Sequence, residues 1–144
     1  MTSYERFKRT FEHKEADRIP IVDWAHNRGI YAYLHSCGNI MGLLPDVIET
    51  GVDALNPLEV KAGMDTLKIK KEYGDKLVLH GGINAAQWKN TEAVIAEINE
   101  KIPTLKENGG YIFSSDHSIP NDVSLENMKK IVAEVKRLGT YTYN

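Results

Sequence analysis

The stretch Ile30-Tyr-Ala-Tyr-Leu-His-Ser-Cys-Gly-Asn-Ile-Met-Gly-Leu-Leu-Pro-Asp-Val-Ile-Glu-Thr-Gly-Val-Asp-Ala-Leu-Asn56 decides the fold. It opens on a short apolar run, Ile30 to Leu34, passes through a polar loop, and continues into Met41 to Glu49, whose apolar positions repeat at helical spacing. Gly51 stands just past that helix, where a left-handed cap is wanted, and a second apolar run, Ala54 to Asn56, follows. A strand, a loop, a helix and another strand in this order make a βαβ crossover, which requires the two strands to be parallel.

The same unit recurs to the end of the chain. Strands are expected at Leu77 to Leu79 and Tyr111 to Phe113, and helices at Met64 to Tyr73, Thr91 to Glu107 and Ser124 to Leu138. Gly74, Gly109 and Gly139 mark helix ends, and Asn90 with Thr91, and Ser124 with Asn127, supply capping residues. The unit repeats in architecture and not in sequence, so this is no solenoid. The reading is an α/β fold, a partial (half) TIM-type (β/α) barrel of about four βα units. An eight-unit barrel takes about 250 residues, and this chain has 144.

Upstream, Tyr4, Phe7 and Phe11 fall at helical spacing behind Ser3, which predicts a short N-terminal amphipathic helix. Asp17 to Trp24 reads as a turn leading into an extended piece, since Pro20 biases Ile19 away from helix. Asn27-Arg28-Gly29 has the character of a helix C-terminus, yet few residues after Pro20 are available to build that helix.

Composition narrows the function classes. A net charge of −2 and 26% charged residues give no broad basic surface, which excludes nucleic acid as a leading partner. The short basic run Lys68, Lys70 and Lys71 is followed at once by Glu72 and Asp75 and reads as a solvated helix face. The chain shows neither a signal-peptide pattern nor an apolar run of membrane-spanning length, so the expectation is a cytoplasmic protein with no membrane partner. The single cysteine, Cys37, has no intramolecular disulfide partner and is a small buried hydrophobe, a reactive thiol or a metal ligand.

In a parallel (β/α) sheet, functional groups collect where strands end and βα loops begin. His35 and Cys37 follow the first strand, Asn56 closes the second, His80 the third, and Asp116 and His117 follow the fourth. His35 and Cys37, two residues apart at a strand end, suit zinc, and His117 is the best third ligand, leaving a fourth position open for substrate or water. The alternative is a packed cysteine beside an ordinary loop histidine. Asp116 and His80 are the catalytic candidates, Asp116 by orienting a histidine or, on the other reading, as a loop residue bonded to nearby backbone. Asn56, Gly81 and Gly82 are the cofactor-binding candidates; the two glycines either present amide groups to an anion or form a tight turn. His13 and His26 are expected on solvated surfaces, and Trp24 and Trp88 in packing roles. The tail Tyr141-Thr-Tyr143 has no readable task.

These residues resemble a known family. His35-Ser-Cys-Gly-Asn-Ile40, Leu44-Pro-Asp-Val-Ile-Glu-Thr-Gly-Val-Asp-Ala-Leu-Asn-Pro57, His80-Gly-Gly-Ile83 and Gly109-Gly-Tyr-Ile-Phe-Ser-Ser-Asp-His117 look like the C-terminal half of the uroporphyrinogen decarboxylase superfamily, and Glu5-Arg-Phe7 with Asp17-Arg-Ile-Pro20 look like its N-terminus. The resemblance covers nearly the whole chain in two pieces, 1–24 and 25–144 of one domain, with the family's middle absent between about Trp24 and Ala25.

Within the superfamily the His-x-Cys pair is similar to the corrinoid-linked methyltransferases. That resemblance implies zinc held by His35, Cys37 and a later cysteine, here replaced by His117, and methyl transfer between a corrinoid on a partner protein and a small-molecule thiol that the metal activates. The decarboxylases proper imply porphyrinogen decarboxylation instead. A third reading is a non-catalytic half-barrel or assembly module, because a four-stranded parallel sheet has two open edges that invite a homo-oligomer.

Overall fold

The computed structural model describes residues 5, 6, 8, 9, 12–14 and 29–141. Four short strands alternate with four helices: β1 (Tyr33–His35), α1 (Leu44–Glu49), β2 (Ala54–Asn56), α2 (Thr66–Tyr73), β3 (Val78–His80), α3 (Thr91–Leu105), β4 (Tyr111–Ile112) and α4 (Leu125–Gly139). The strands lie side by side in chain order and every pairing is parallel. This is the partial TIM-type architecture that the alternation predicts.

The helices begin where their caps say. The Asp65 carboxylate accepts the Lys68 N–H at 3.0 Å, Asn90 accepts that of Ala93 at 3.2 Å, and Ser124 accepts that of Asn127 at 3.1 Å. Each satisfies one of the N–H groups left without an intrahelical partner. The first expected helix is divided into a single 3-10 turn, Met41–Leu43, and α1, whose second residue is Pro45. Proline suits the first turn of a helix because it has no N–H to leave unpaired.

Strand β1 starts three residues later than its apolar run suggests. The Ala32 carbonyl takes the N–H groups of both Asp53 and Ala54, and its own N–H goes to the Asp53 carboxylate at 2.6 Å. The regular ladder therefore begins at Tyr33, and Ile30 and Tyr31 stand exposed ahead of it. Strand β3 is likewise one residue later than expected and takes in His80. Of the predicted N-terminal helix, residues 5, 6, 8 and 9 are helical, and Ser3, Tyr4, Phe7 and Phe11 lie outside the described residues, as do Asp17 to Trp24, His26 and the join at Asn27 and Arg28.

Alternation along the strands sorts the side chains onto two faces. Leu34, Leu55, Leu79 and Tyr111 point toward the helices and pack with Leu44, Ile69, Leu77 and Leu105. A second cluster, Ile83, Trp88, Val94, Ile98, Ile102 and Ile131, joins α3 to α4. Trp88 is buried, tilted against Phe113, in the packing role expected of it. The opposite face, the interior side of a barrel, carries Tyr33, His35, Asn56, His80 and Ile112, with Tyr33 and Ile112 about half exposed. No described helix is long and apolar enough to cross a membrane.

Candidate functional site

Pairing in register places the polar strand ends in one row. His35 is opposite Asn56, and His80 is opposite Ile112, with Asn56 and His80 each one residue beyond the Leu55–Leu79 pair. Adjacent strands stand under 5 Å apart, so three side chains at three neighbouring strand ends are within hydrogen-bonding reach.

They are in contact. Asn56 Nδ2 donates to the His80 carbonyl at 3.2 Å, and Asn56 Oδ1 lies 2.7 Å from His35 Nδ1. On the far side of the His35 ring, Nε2 is 3.6 Å from Cys37 Sγ. The His80 ring meets Tyr33 edge-on, with the Tyr33 hydroxyl hydrogen-bonded to His80 Nδ1. Burial pushes His80 below the ordinary imidazole value and Tyr33 above the ordinary phenol value, because each charged form is poorly solvated on this face.

A cleft of about 340 Å³ opens beside this row, lined by His35, Cys37, Asn56, Ser115, Asp116 and His117 among others. Five of the eight expected site residues therefore share one cleft; His80, Gly81 and Gly82 are outside its walls. A larger cavity, about 1050 Å³, lies at the opposite ends of the strands between α2 and α3, lined by Asp53, Lys68, Lys76, Glu107 and their neighbours. In barrels of this class chemistry gathers at the C-terminal strand ends, and the smaller cleft is at that end.

Asp116 is almost fully buried, and both of its carboxylate oxygens are occupied. One accepts the Val60 N–H at 2.8 Å and the other the Ala85 N–H at 2.7 Å, so Asp116 ties the loops after β2, β3 and β4 together. Of its two sequence readings, the backbone-bonded loop residue describes this geometry, and no histidine is oriented by it.

Of the two readings of Gly81 and Gly82, the tight turn describes their geometry. Their N–H groups donate to Ile112 and Pro57 carbonyls and present nothing to an anion. Both have positive φ, and a Cβ on Gly81 would stand 2.2 Å from the Pro57 carbonyl oxygen, one on Gly82 2.5 Å from Thr66 Oγ1. Close approach of the Pro57 backbone to Gly81 and of the Thr66 side chain to Gly82, not a ligand, requires glycine there.

The three ligands expected for zinc are not grouped together. Among the described residues no three His, Cys, Asp or Glu side chains are grouped to hold a metal ion. His35 and Cys37 supply two adjacent donors, and His117 lines the same cleft without joining them. As arranged, these residues do not fit a three-ligand zinc site.

Several supporting residues were not singled out in the sequence. The Glu59 carboxylate accepts the Gly38 N–H at 2.7 Å and so holds the loop that carries Cys37. Lys101 Nζ donates to the Gly82 carbonyl at 2.9 Å and pairs with Glu97 at 2.6 Å, while Glu97 accepts the Asn84 N–H. The Tyr111 hydroxyl donates to the Gly81 carbonyl at 2.9 Å, and burial, reinforced by Glu97, pushes its ionisation far above the ordinary phenol range. The available signal was the Glu97 and Lys101 spacing of four on α3, which the charge pattern alone reads as a surface pair.

Fold and site together define an α/β protein of the (β/α)-barrel class with its polar side chains at the C-terminal ends of parallel strands. The model of the family described as Uroporphyrinogen decarboxylase (URO-D) matches residues 21–138, and the chain belongs to that family. It is 34% identical over 119 residues to a uroporphyrinogen decarboxylase of Helicobacter pylori (strain P12), a match covering 83% of this chain and 30% of that protein. A uroporphyrinogen decarboxylase of Helicobacter acinonychis (strain Sheeba) is 32% identical over the same share of each chain. One from Vesicomyosocius okutanii is 26% identical over 79% of this chain and 29% of that protein. The chain thus spans under a third of the length of these relatives.

Proposed function

We propose that the cleft at the C-terminal strand ends is part of a site that removes a carboxyl group from a polycarboxylate substrate of the uroporphyrinogen class. The observation that carries this reading is the row His35, Asn56, His80 at three adjacent strand ends beside a cleft lined with Ser115 and His117. Loss of CO₂ breaks a carbon–carbon bond and leaves its electron pair on carbon, which must then take a proton. Imidazole is the side chain best matched to that transfer near neutral pH, and hydroxyl and N–H donors suit the departing carboxylate. The relatives that carry the name uroporphyrinogen decarboxylase support the substrate class.

The test is incubation of the purified chain with uroporphyrinogen, with chromatography of the products by carboxyl count. Products lacking one or more carboxyl groups, reduced at least tenfold in His35→Gln and His80→Gln, are the expected result. Unchanged substrate, together with no measurable binding, overturns the reading.

A second reading is methyl transfer between a corrinoid protein and a thiol. The 3.6 Å approach of His35 Nε2 to Cys37 Sγ supports it, since those two atoms face one another as metal ligands or as a thiol–imidazole pair do. It requires a third donor beyond the two in contact, and native mass spectrometry with added zinc, beside Cys37→Ser, decides it: one zinc per chain that vanishes in the variant upholds it, and a metal-free chain sinks it. Both readings include association with a second copy, because β1 and β4 are the outer strands of the described sheet and one sheet face carries exposed Tyr33 and Ile112. Sedimentation velocity reads this directly, with a dimer expected and a monomer at high concentration excluding it.

A further inference from the structure

We propose that Asn56 and Tyr33 are positioning residues that hold two neighbouring histidines in opposite tautomers, His35 protonated on Nδ1 and His80 protonated on Nε2. One chain of hydrogen bonds links the two histidines, and it begins at a group whose role is fixed. The His80 backbone carbonyl only accepts, so the Asn56 amide must turn its NH₂ toward it, and the 3.2 Å contact is with Nδ2. That leaves Asn56 Oδ1, also an acceptor only, 2.7 Å from His35 Nδ1. His35 Nδ1 must therefore carry the hydrogen. In the neutral ring Nε2 is then a bare lone pair, facing the Cys37 thiol at 3.6 Å and lining the cleft.

His80 is fixed the other way. Its Nδ1 is the hydrogen-bond partner of the Tyr33 hydroxyl. A neutral phenol gives its hydrogen most favourably to an imidazole lone pair, and both groups are shifted by burial toward their neutral forms, which keeps this arrangement near neutral pH. His80 Nδ1 thus accepts, and its proton sits on Nε2.

The consequence is a division of labour between residues that are chemically identical in the sequence. His35 offers an acceptor at the cleft, and His80 offers a donor on the adjoining strand end. A pair of titratable groups held in different states by their surroundings is how one site supplies both a base and an acid. Asn56 links the two strand ends, since one amide donates to the His80 backbone and orients the His35 ring. Tyr33, four residues from Cys37 and on no motif, completes it. The assignment of roles rests on the decarboxylation reading, whereas the tautomers themselves do not.

The test is ¹⁵N spectroscopy of the full chain at a pH above the histidine range, where long-range ¹H–¹⁵N correlations distinguish protonated from bare ring nitrogens. The expected pattern is Nδ1–H for His35, the form less favoured in water, and Nε2–H for His80. Asn56→Ala should return His35 toward the Nε2–H form, and Asn56→Asp, which keeps an acceptor oxygen, should retain Nδ1–H. Tyr33→Phe should leave His35 unchanged and release His80 into a mixture of forms. An Nε2–H His35 in the wild type, or an Asn56→Ala spectrum identical to it, overturns the proposal. The expected tautomers with no decarboxylation would sink the functional reading alone, and turnover with the wrong tautomers would sink this one alone.

Discussion

The Asp116 carboxylate sits 2.7 Å from the backbone nitrogen of Ala85, a residue 31 positions earlier that opens the turn after β3. The same carboxylate reaches Val60 in the loop after β2, so one buried side chain holds the floor of the cleft. Asp116→Asn replaces an acceptor with an NH₂ that faces an N–H and should cost about 2 kcal/mol, near the penalty for an unsatisfied buried donor. Asp116→Ala leaves both N–H groups unpaired and should cost more. Urea denaturation of the two variants beside wild type checks the order, and equal stability of all three would show that Asp116 is not a brace.

Two glycines separate conformational strain from collision. Gly38 has φ near +80° with open space where a Cβ would stand, and Gly81 has φ near +108° with the Pro57 carbonyl oxygen 2.2 Å from that point. Gly38→Ala should destabilise by about 1 kcal/mol, the usual cost of a side chain in left-handed backbone. Gly81→Ala should cost clearly more and shift the thermal midpoint further, because backbone must move. A smaller loss for Gly81→Ala than for Gly38→Ala contradicts the packing described here.

Lys101 and Glu97 form an ion pair of which little is exposed, 13% and 10% of the two side chains. Removing one partner leaves a poorly solvated charge, a loss of about 3 kcal/mol or more, whereas replacing both with apolar residues of similar size should be far milder. Lys101→Met, Glu97→Met and the double variant in a denaturation cycle give the coupling directly. A loss in the double variant equal to the two single losses added together is the outcome that would exclude it.

The pH dependence has a defined direction. Burial holds folded His80 below its usual value of 6.5, so near and just below that pH the unfolded chain binds more protons than the folded one. His80 therefore contributes no penalty well above pH 6.5, and stability falls as the pH drops from 6.5 toward the folded value, levelling off below it. Tyr33→Phe removes a hydrogen bond to the neutral ring and should move the His80 titration upward, read from its ring proton resonances. At the surface of α4, Glu134 is drawn down to about 2 by hydrogen bonds from Arg137 and Asn99. Its titration should move toward the ordinary carboxylate range in Arg137→Ala.

The alternation of short apolar runs with capped, glycine-ended helices carried the whole order of elements in the sequence, because capping and periodicity are local chemistry. It placed β2 to the residue and the starts of α3 and α4 within one. Strand β1 was misplaced because its ends depend on what Ala32 and Asp53 do across the sheet, and neither neighbour is visible along the chain.

The strand-end positions of His35, Cys37, Asn56, Asp116 and His117 were equally legible, since parallel topology sends loop residues to one rim. Their roles were not. Whether Asp116 orients a histidine or ties loops, whether Gly81 and Gly82 greet an anion or a carbonyl, and whether His117 joins His35 and Cys37 all depend on distances between residues far apart in sequence. Local sequence determined which elements form and which polar groups reach the rim; only the register of four strands decided which of those groups touch, because hydrogen bonds and steric contacts act over a few ångströms of space and take no account of separation along the chain.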